Sequence, residues 1–137
     1  MVLLKLTNKN AIDIQQTLHN DYHSSSIRII NSYFIAIYFV IIESLFYTDG
    51  YNEIKDLFIQ ILIKRDVNGL YSSKAKISYV FMFNIKDEDE YVRNMFGVWV
   101  LIHELRHHYQ YTKKPKLLKI AEKDAERFSF RMIDKNY

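Results

Sequence analysis

The segment His103-Glu104-Leu105-Arg106-His107 places two histidines four residues apart, with a glutamate directly after the first. On a helix such a pair projects from one face, one turn apart. Both imidazoles then point to adjacent corners of a zinc tetrahedron. Glu104 stands beside the first ligand, where its carboxylate reaches a metal-activated water rather than the metal. It can accept the water's proton and deliver it to a leaving amine. With five histidines and seven glutamates in 137 residues, chance produces this pattern roughly once in 100 such chains. A second feature is therefore required.

That feature is a third ligand, since a hydrolytic zinc site takes three protein ligands and keeps one position open. The extended pattern with a histidine beyond a glycine is absent, because Gln110 and Lys113 occupy those places. Downstream lies Glu122-Lys123-Asp124-Ala125-Glu126-Arg127-Phe128, on a helix that a turn at Pro115 can fold back beside the first. Glu122 and Glu126 share a face of that helix. Glu122 is the natural ligand, and Glu126 is placed to hydrogen-bond the free nitrogen of a metal-bound histidine. Asp124 and Glu126 are rival ligands, and solvated acids pairing with Lys119, Lys123 or Arg127 are the plainer reading. His108 is expected off the metal face, on the surface or behind a ligand. His19 and His23 repeat the spacing without an adjacent acid and read as one side of a helix.

The elements that position these residues follow from periodicity. Asn10 to Tyr22 is read as an amphipathic helix, followed by Ser24 to Ser26 as an N-cap. The charge-free run Ile29–Ile42 is read as helix on its length. At 14 residues between Arg28 and Glu43, it is short of the roughly 18 to 20 that span a bilayer. A buried core segment is expected there, with membrane association as the alternative. Turns are expected at Asp49-Gly50 and Asn68-Gly69. Between them Ile54, Leu57, Phe58, Ile61 and Leu62 keep the spacing of a core-facing helix. Lys76 to Ile85 is dense in β-formers and reads as a strand. The acids Asp87 to Glu90 open a long helix through the histidines, Pro115 ends it, and a last helix runs from about Pro115 to Ile133.

Composition agrees with one packed domain over residues 1–137. Hydrophobic residues make up 49%, with 3 glycines and 1 proline, which favours helices over a turn-rich sandwich. The absence of cysteine excludes disulfides and thiolate zinc sites and fits a cytoplasmic protein. No secretory signal pattern opens the sequence. A net charge of +3 with interspersed signs gives no nucleic-acid footprint. The dense cluster Lys113, Lys114, Lys116 and Lys119 reads as a solvated helix end or, alternatively, a partner patch. Nothing in the sequence specifies an oligomeric state.

The segment VWVLIHELRHHYQ, followed by EKDAERFS, resembles the zinc peptidases of the gluzincin group. It is most similar to the ImmA/IrrE-like metallopeptidases, whose pattern is H-E-L-G-H followed by E-x-E-A-N-x-F-A. The resemblance covers about Trp99 to Met132, roughly a quarter of the chain. It implies zinc-dependent hydrolysis of a peptide or protein substrate, with His103, His107 and Glu122 as ligands and Glu104 as general base. Glu126 falls on the family's Asn or Asp behind a ligand. Arg106 stands where the family has glycine, and Ser129 where it has alanine. The resemblance also implies that the strand Lys76–Ile85 is the edge along the cleft, where substrate adds as an extended strand. Tyr79, Tyr109, Tyr111 and Arg106 are candidate donors to the oxyanion. The expected fold is α+β, a mainly helical single domain with a small antiparallel sheet packed on the HExxH helix, zincin-like. The alternative function is a metal-binding regulatory or interaction protein without peptidase activity. A third reading is a helical domain without metal.

Overall fold

The computed structural model describes residues 5–39, 42 and 51–136. The chain forms helix α1 (Asn8–Gln16), strand β1 (Ser26–Ile30), helix α2 (Tyr33–Tyr38) and helix α3 (Tyr51–Phe58), which continues as a π turn, Ile59–Ile63. Strands β2 (Gly69–Ser72) and β3 (Ile77–Phe81) follow, then the long helix α4 (Glu90–Thr112) and helix α5 (Ala121–Asn136). This is the expected α+β class, mainly helical around one small sheet. The expected turn at Asp49-Gly50 lies outside the described residues.

The sheet order is β1-β3-β2. β2 and β3 run antiparallel with Tyr71 opposite Ser78, while β1 and β3 run parallel. The sheet is therefore mixed, not antiparallel as expected. Connection length explains the difference. The four residues 73–76 join β2 to β3, with Lys76 N donating to Ser72 O at 2.7 Å, and so short a link permits only an antiparallel pair. β1 reaches β3 through a crossover that includes α2, α3 and β2, long enough for a parallel pair.

Two other expectations are corrected. The strand expected over Lys76–Ile85 is central rather than an edge, and all five residues of β3 are buried. A strand covered on both faces reads as a continuous apolar run, which is why it was visible in the sequence and why its place was not. The run Ile29–Ile42 is not one helix. Its start belongs to β1, where Ile27 and Ile29 face one core and Ile30 the other. α2 then begins after Ser32. β-branched residues favour that strand, and length alone misled. No helix among the described residues is long and apolar enough to cross a membrane.

One face of the sheet packs against α1 and α4 around Leu6, Ile14, Ile29, Val80, Leu101 and Leu105. The other, with Ile30, Ile77, Tyr79 and Phe81, is covered by α2 and the π turn through Ala36, Ile61 and Leu62. Asp89 caps α4, its carboxylate accepting from Tyr91 N and Val92 N at 2.9 and 3.2 Å. α4 is buried at Val98, Val100 to Leu105, His107, His108 and Gln110, so it runs through the molecule instead of along its surface. Gly97 lets α4 approach the turn that follows β3 and the segment before α1, because a Cβ there would collide with Met82 Sδ and meet Leu6 Cδ2 at 2.9 Å. Chain reversal after α4 uses a 3-10 turn, Pro115–Ile120, where the expected last helix had been continuous from Pro115.

α4 and α5 are clasped by Arg106, whose Nε and Nη2 donate to Asp124 at 2.7 and 3.1 Å and whose Nη1 donates to the Tyr22 hydroxyl at 2.7 Å. The guanidinium lies between the Tyr109 and Phe128 rings, 4.6 Å from each centroid. Bidentate geometry of this kind is among the stronger polar contacts in proteins, and both side chains are only about 15% exposed. Arg106→Leu leaves Asp124 with Gln110 as its remaining side-chain donor and is expected to cost roughly 2 to 4 kcal/mol, between the values for surface and fully buried pairs. A urea midpoint within error of wild type at unchanged slope would refute the clasp.

Candidate metal centre

α4 carries His103 and His107 on one side, and the first turn of α5 brings Glu122 across from them. His103 Nε2 lies 3.1 Å from Glu122 Oε2, and His107 Nε2 lies 2.9 Å from Glu122 Oε1. The three donor atoms fall within 4.8 Å of one another and form a set able to hold a metal ion. A zinc tetrahedron with these ligand types has edges of about 3.3 Å, so the spacing is close to what a small cation requires. Both rings are nearly buried, whereas the Glu122 side chain is 80% exposed, which leaves one side of the cluster open to solvent.

Hydrogen bonding fixes one tautomer. Gln110 donates through Nε2 to Ala121 O and Asp124 Oδ2, both at 2.9 Å. Its Oε1 therefore faces His107 Nδ1 at 2.9 Å as an acceptor, and Nδ1 must carry a proton. In a neutral ring the lone pair of His107 Nε2 then points at a carboxylate oxygen 2.9 Å away. Two acceptors so close repel unless a metal ion or a second ring proton stands between them. Gln110 was named in the sequence only for not being histidine; its i, i+3 relation to His107 was the available signal.

His103 is held differently. Its ring packs on Trp99 at 5.1 Å and edge-on to His107 at 4.9 Å. Its Nδ1 is buried without a hydrogen-bond partner. Glu126, expected to bond a ligand's free nitrogen, is exposed on α5 and makes no hydrogen bond to either ring. The carboxylate nearest this network is Asp124, already engaged by Arg106 and Gln110, so as a rival metal ligand it is spent. The Arg106 guanidinium holds the Asp124 carboxyl below its ordinary range. Burial, then His107 nearby, lowers the His103 pKa.

Glu104 is buried at the floor of a cleft of about 270 Å³ lined by Gly69, Leu70, Tyr71, His107, Tyr111 and Glu122 among others. Burial, and then the Glu122 charge, push its carboxyl up to about 8. The strand beside this cleft is β2, which begins at Gly69 where the sequence pattern marks a turn. Its first residue is tightly placed, since a Cβ on Gly69 would collide with Val100 Cγ1 and meet Glu104 Oε1 at 3.0 Å. Among the described residues no strand pairs with the outer edge of β2.

The candidate oxyanion donors separate cleanly. Arg106 is committed to the clasp, Tyr109 stacks on Tyr22, and Tyr79 lies in the core on the far face of the sheet. Only Tyr111 of the four lines the cleft, and it does so beside Tyr71. His108 is fully buried rather than on the surface, bonded to Ser24 and Tyr71. His19 and His23 flank a 3-10 turn, Asn20–Tyr22, and form no helix side. No family model, curated protein or solved structure matches the chain.

The buried carboxyl has a consequence for stability. An unfolded glutamate releases its proton near 4.5, the folded Glu104 near 8. In that interval the folded state binds more protons, so stability falls as pH rises. His103 and His108, both lowered chiefly by burial, oppose this only below their unfolded value of 6.5. For metal-stripped protein between pH 6.5 and 8, stability is expected to fall by on the order of 1 kcal/mol per pH unit. Glu104→Gln should flatten the slope. Equal slopes in urea titrations of the two proteins would count against it.

Proposed function

We propose that this chain is a zinc-dependent metallopeptidase, similar in its site to the gluzincin group and the ImmA/IrrE-like enzymes, acting on a peptide or protein substrate. The observation that carries the reading is the convergence of His103 Nε2 and His107 Nε2 on the two carboxylate oxygens of Glu122, at 3.1 and 2.9 Å. Two imidazoles and one carboxylate, without thiolate, suit a hydrolytic zinc site, and the exposed side of Glu122 suits a position left for water.

Bound zinc would supply a Lewis acid that polarises a carbonyl and lowers the pKa of water. The chain's own residues do the rest. Glu104 takes the proton of the attacking water and returns it to the departing amine. Burial, and then the Glu122 charge, keep this carboxyl protonated near neutrality, and zinc held by His103, His107 and Glu122 would favour the carboxylate that a base must be. The outer edge of β2, unpaired among the described residues, offers main-chain hydrogen bonds to an extended segment, which positions a peptide over Glu104.

A second proton on His107 would also relieve the contact with Glu122, giving an ion-paired site without metal. Elemental analysis separates the two. Wild type purified without chelator is expected to hold near one zinc, with His107→Ala and Glu122→Ala losing most of it. Metal-free wild type that stays empty after zinc is added back would remove the proposal. Glu104→Gln should keep the metal and lose cleavage by more than a hundredfold. Undiminished proteolysis in that variant would sink the mechanism. A centre that binds zinc but never cleaves would leave the metal-binding regulatory reading in its place.

A further inference from the structure

The sequence pattern leaves one cleft residue without a role. Tyr71 and Gly69 are two apart on β2 and so share a face. The Gly69 backbone presses on Glu104 and Val100, which turns that face towards α4. Two residues of strand advance about 6.7 Å and four of helix about 6.0 Å. The next contact along is therefore Tyr71 with His108, and the Tyr71 hydroxyl lies 2.8 Å from His108 Nδ1. Beyond it, His108 Nε2 lies 2.6 Å from Ser24 Oγ. Ser24, His108 and Tyr71 thus form a line of hydrogen bonds that ends at the cleft holding Glu104, His107 and Glu122.

We propose that Tyr71 donates a hydrogen bond to the substrate's carbonyl oxygen as negative charge develops on it, and that His108 positions Tyr71 for this. The assignment rests on the peptidase reading above. It follows from the direction such a line can take. When Ser24 donates to His108 Nε2, Nδ1 carries the ring proton and donates to the Tyr71 oxygen. The phenolic proton is then not committed to His108 and is left for a partner in the cleft that Tyr71 lines. Donors held in place before reaction stabilise developing charge without reorganisation. Tyr71 is tethered, whereas Tyr111, whose ring leans on it at 5.8 Å, is half exposed. Burial, and then Tyr111, raise the Tyr71 phenol to about 12, so it remains a donor throughout the neutral range. His108 touches no substrate; it acts through Tyr71 as a positioning residue.

The test measures zinc content and then the affinity of the zinc-loaded proteins for acetohydroxamate, a small oxygen-donor probe, by calorimetry. Tyr71→Phe, His108→Leu and His108→Asn should bind zinc as wild type does, with His107→Ala as the metal-free control. Acetohydroxamate affinity should fall about tenfold in Tyr71→Phe and His108→Leu. His108→Asn, whose amide stands near the place of Nδ1, should keep most of it. Equal affinity in wild type and Tyr71→Phe, whether tight or unmeasurable, overturns the role of Tyr71. Loss of zinc in Tyr71→Phe would make the residue structural and overturn it as well. His108→Asn as weak as His108→Leu would remove His108 from the assignment. Wild type that binds no zinc would instead fell the peptidase reading itself.

Discussion

The contact between Arg106 and Asp124 governs the geometry of the candidate site. Glu122 lies two residues before Asp124 on α5, and His107 directly follows Arg106 on α4. A bidentate pair between the two helices sets their separation and their rotation at one point. With that point fixed, Glu122 can stand only near His103 and His107. The stacking of Arg106 between Tyr109 and Phe128 locks the planar group against the rotation that a lysine would allow. Arg106 thus joins the two helices from a position between the motif's two histidines.

A second constraint comes from the sheet. β2 crosses α4 with matched steps, Gly69 over Glu104 and Tyr71 over His108. Absence of a side chain at Gly69 lets the strand backbone come down onto the general-base candidate, and this closeness produces the burial of Glu104. The same closeness leaves the outer edge of β2 beside the cleft. Burial of the carboxyl and an available strand edge are thus one geometric fact seen twice. A β2 shifted by one residue would turn Tyr71 away from α4 and place a side chain where no room exists.

The sequence carried the helical half of the site well. The i, i+4 spacing of His103 and His107, the acids opening α4 and the break at Pro115 are local signals, and each depends on a few neighbouring residues. The missing parts were those that depend on distant contacts. GLYS is too short and too polar to announce a strand, and only its pairing with β3 makes it one. Ile29–Ile42 reads as a single apolar run because the break at Asn31 and Ser32 has no periodic mark. The partner expected of Glu126 went instead to Gln110, since rotation of α5 about the Arg106 clasp turns Asp124 inward and Glu126 outward. Helix rotation is a tertiary quantity, and spacing alone does not report it.

The two histidines illustrate how differently a fold can hold equivalent ligands. His107 belongs to a continuous polar chain in which Arg106 orders Asp124, Asp124 and the Ala121 carbonyl order Gln110, and Gln110 fixes the proton on Nδ1. The clasp that sets the helices therefore also sets the tautomer of one ligand. His103 is held by ring packing on Trp99, which Phe96 and Phe130 support in turn. Packing fixes where a ring lies but not which nitrogen bears its proton. The state of His103 is left to whatever faces its Nε2, which here is the Glu122 carboxylate.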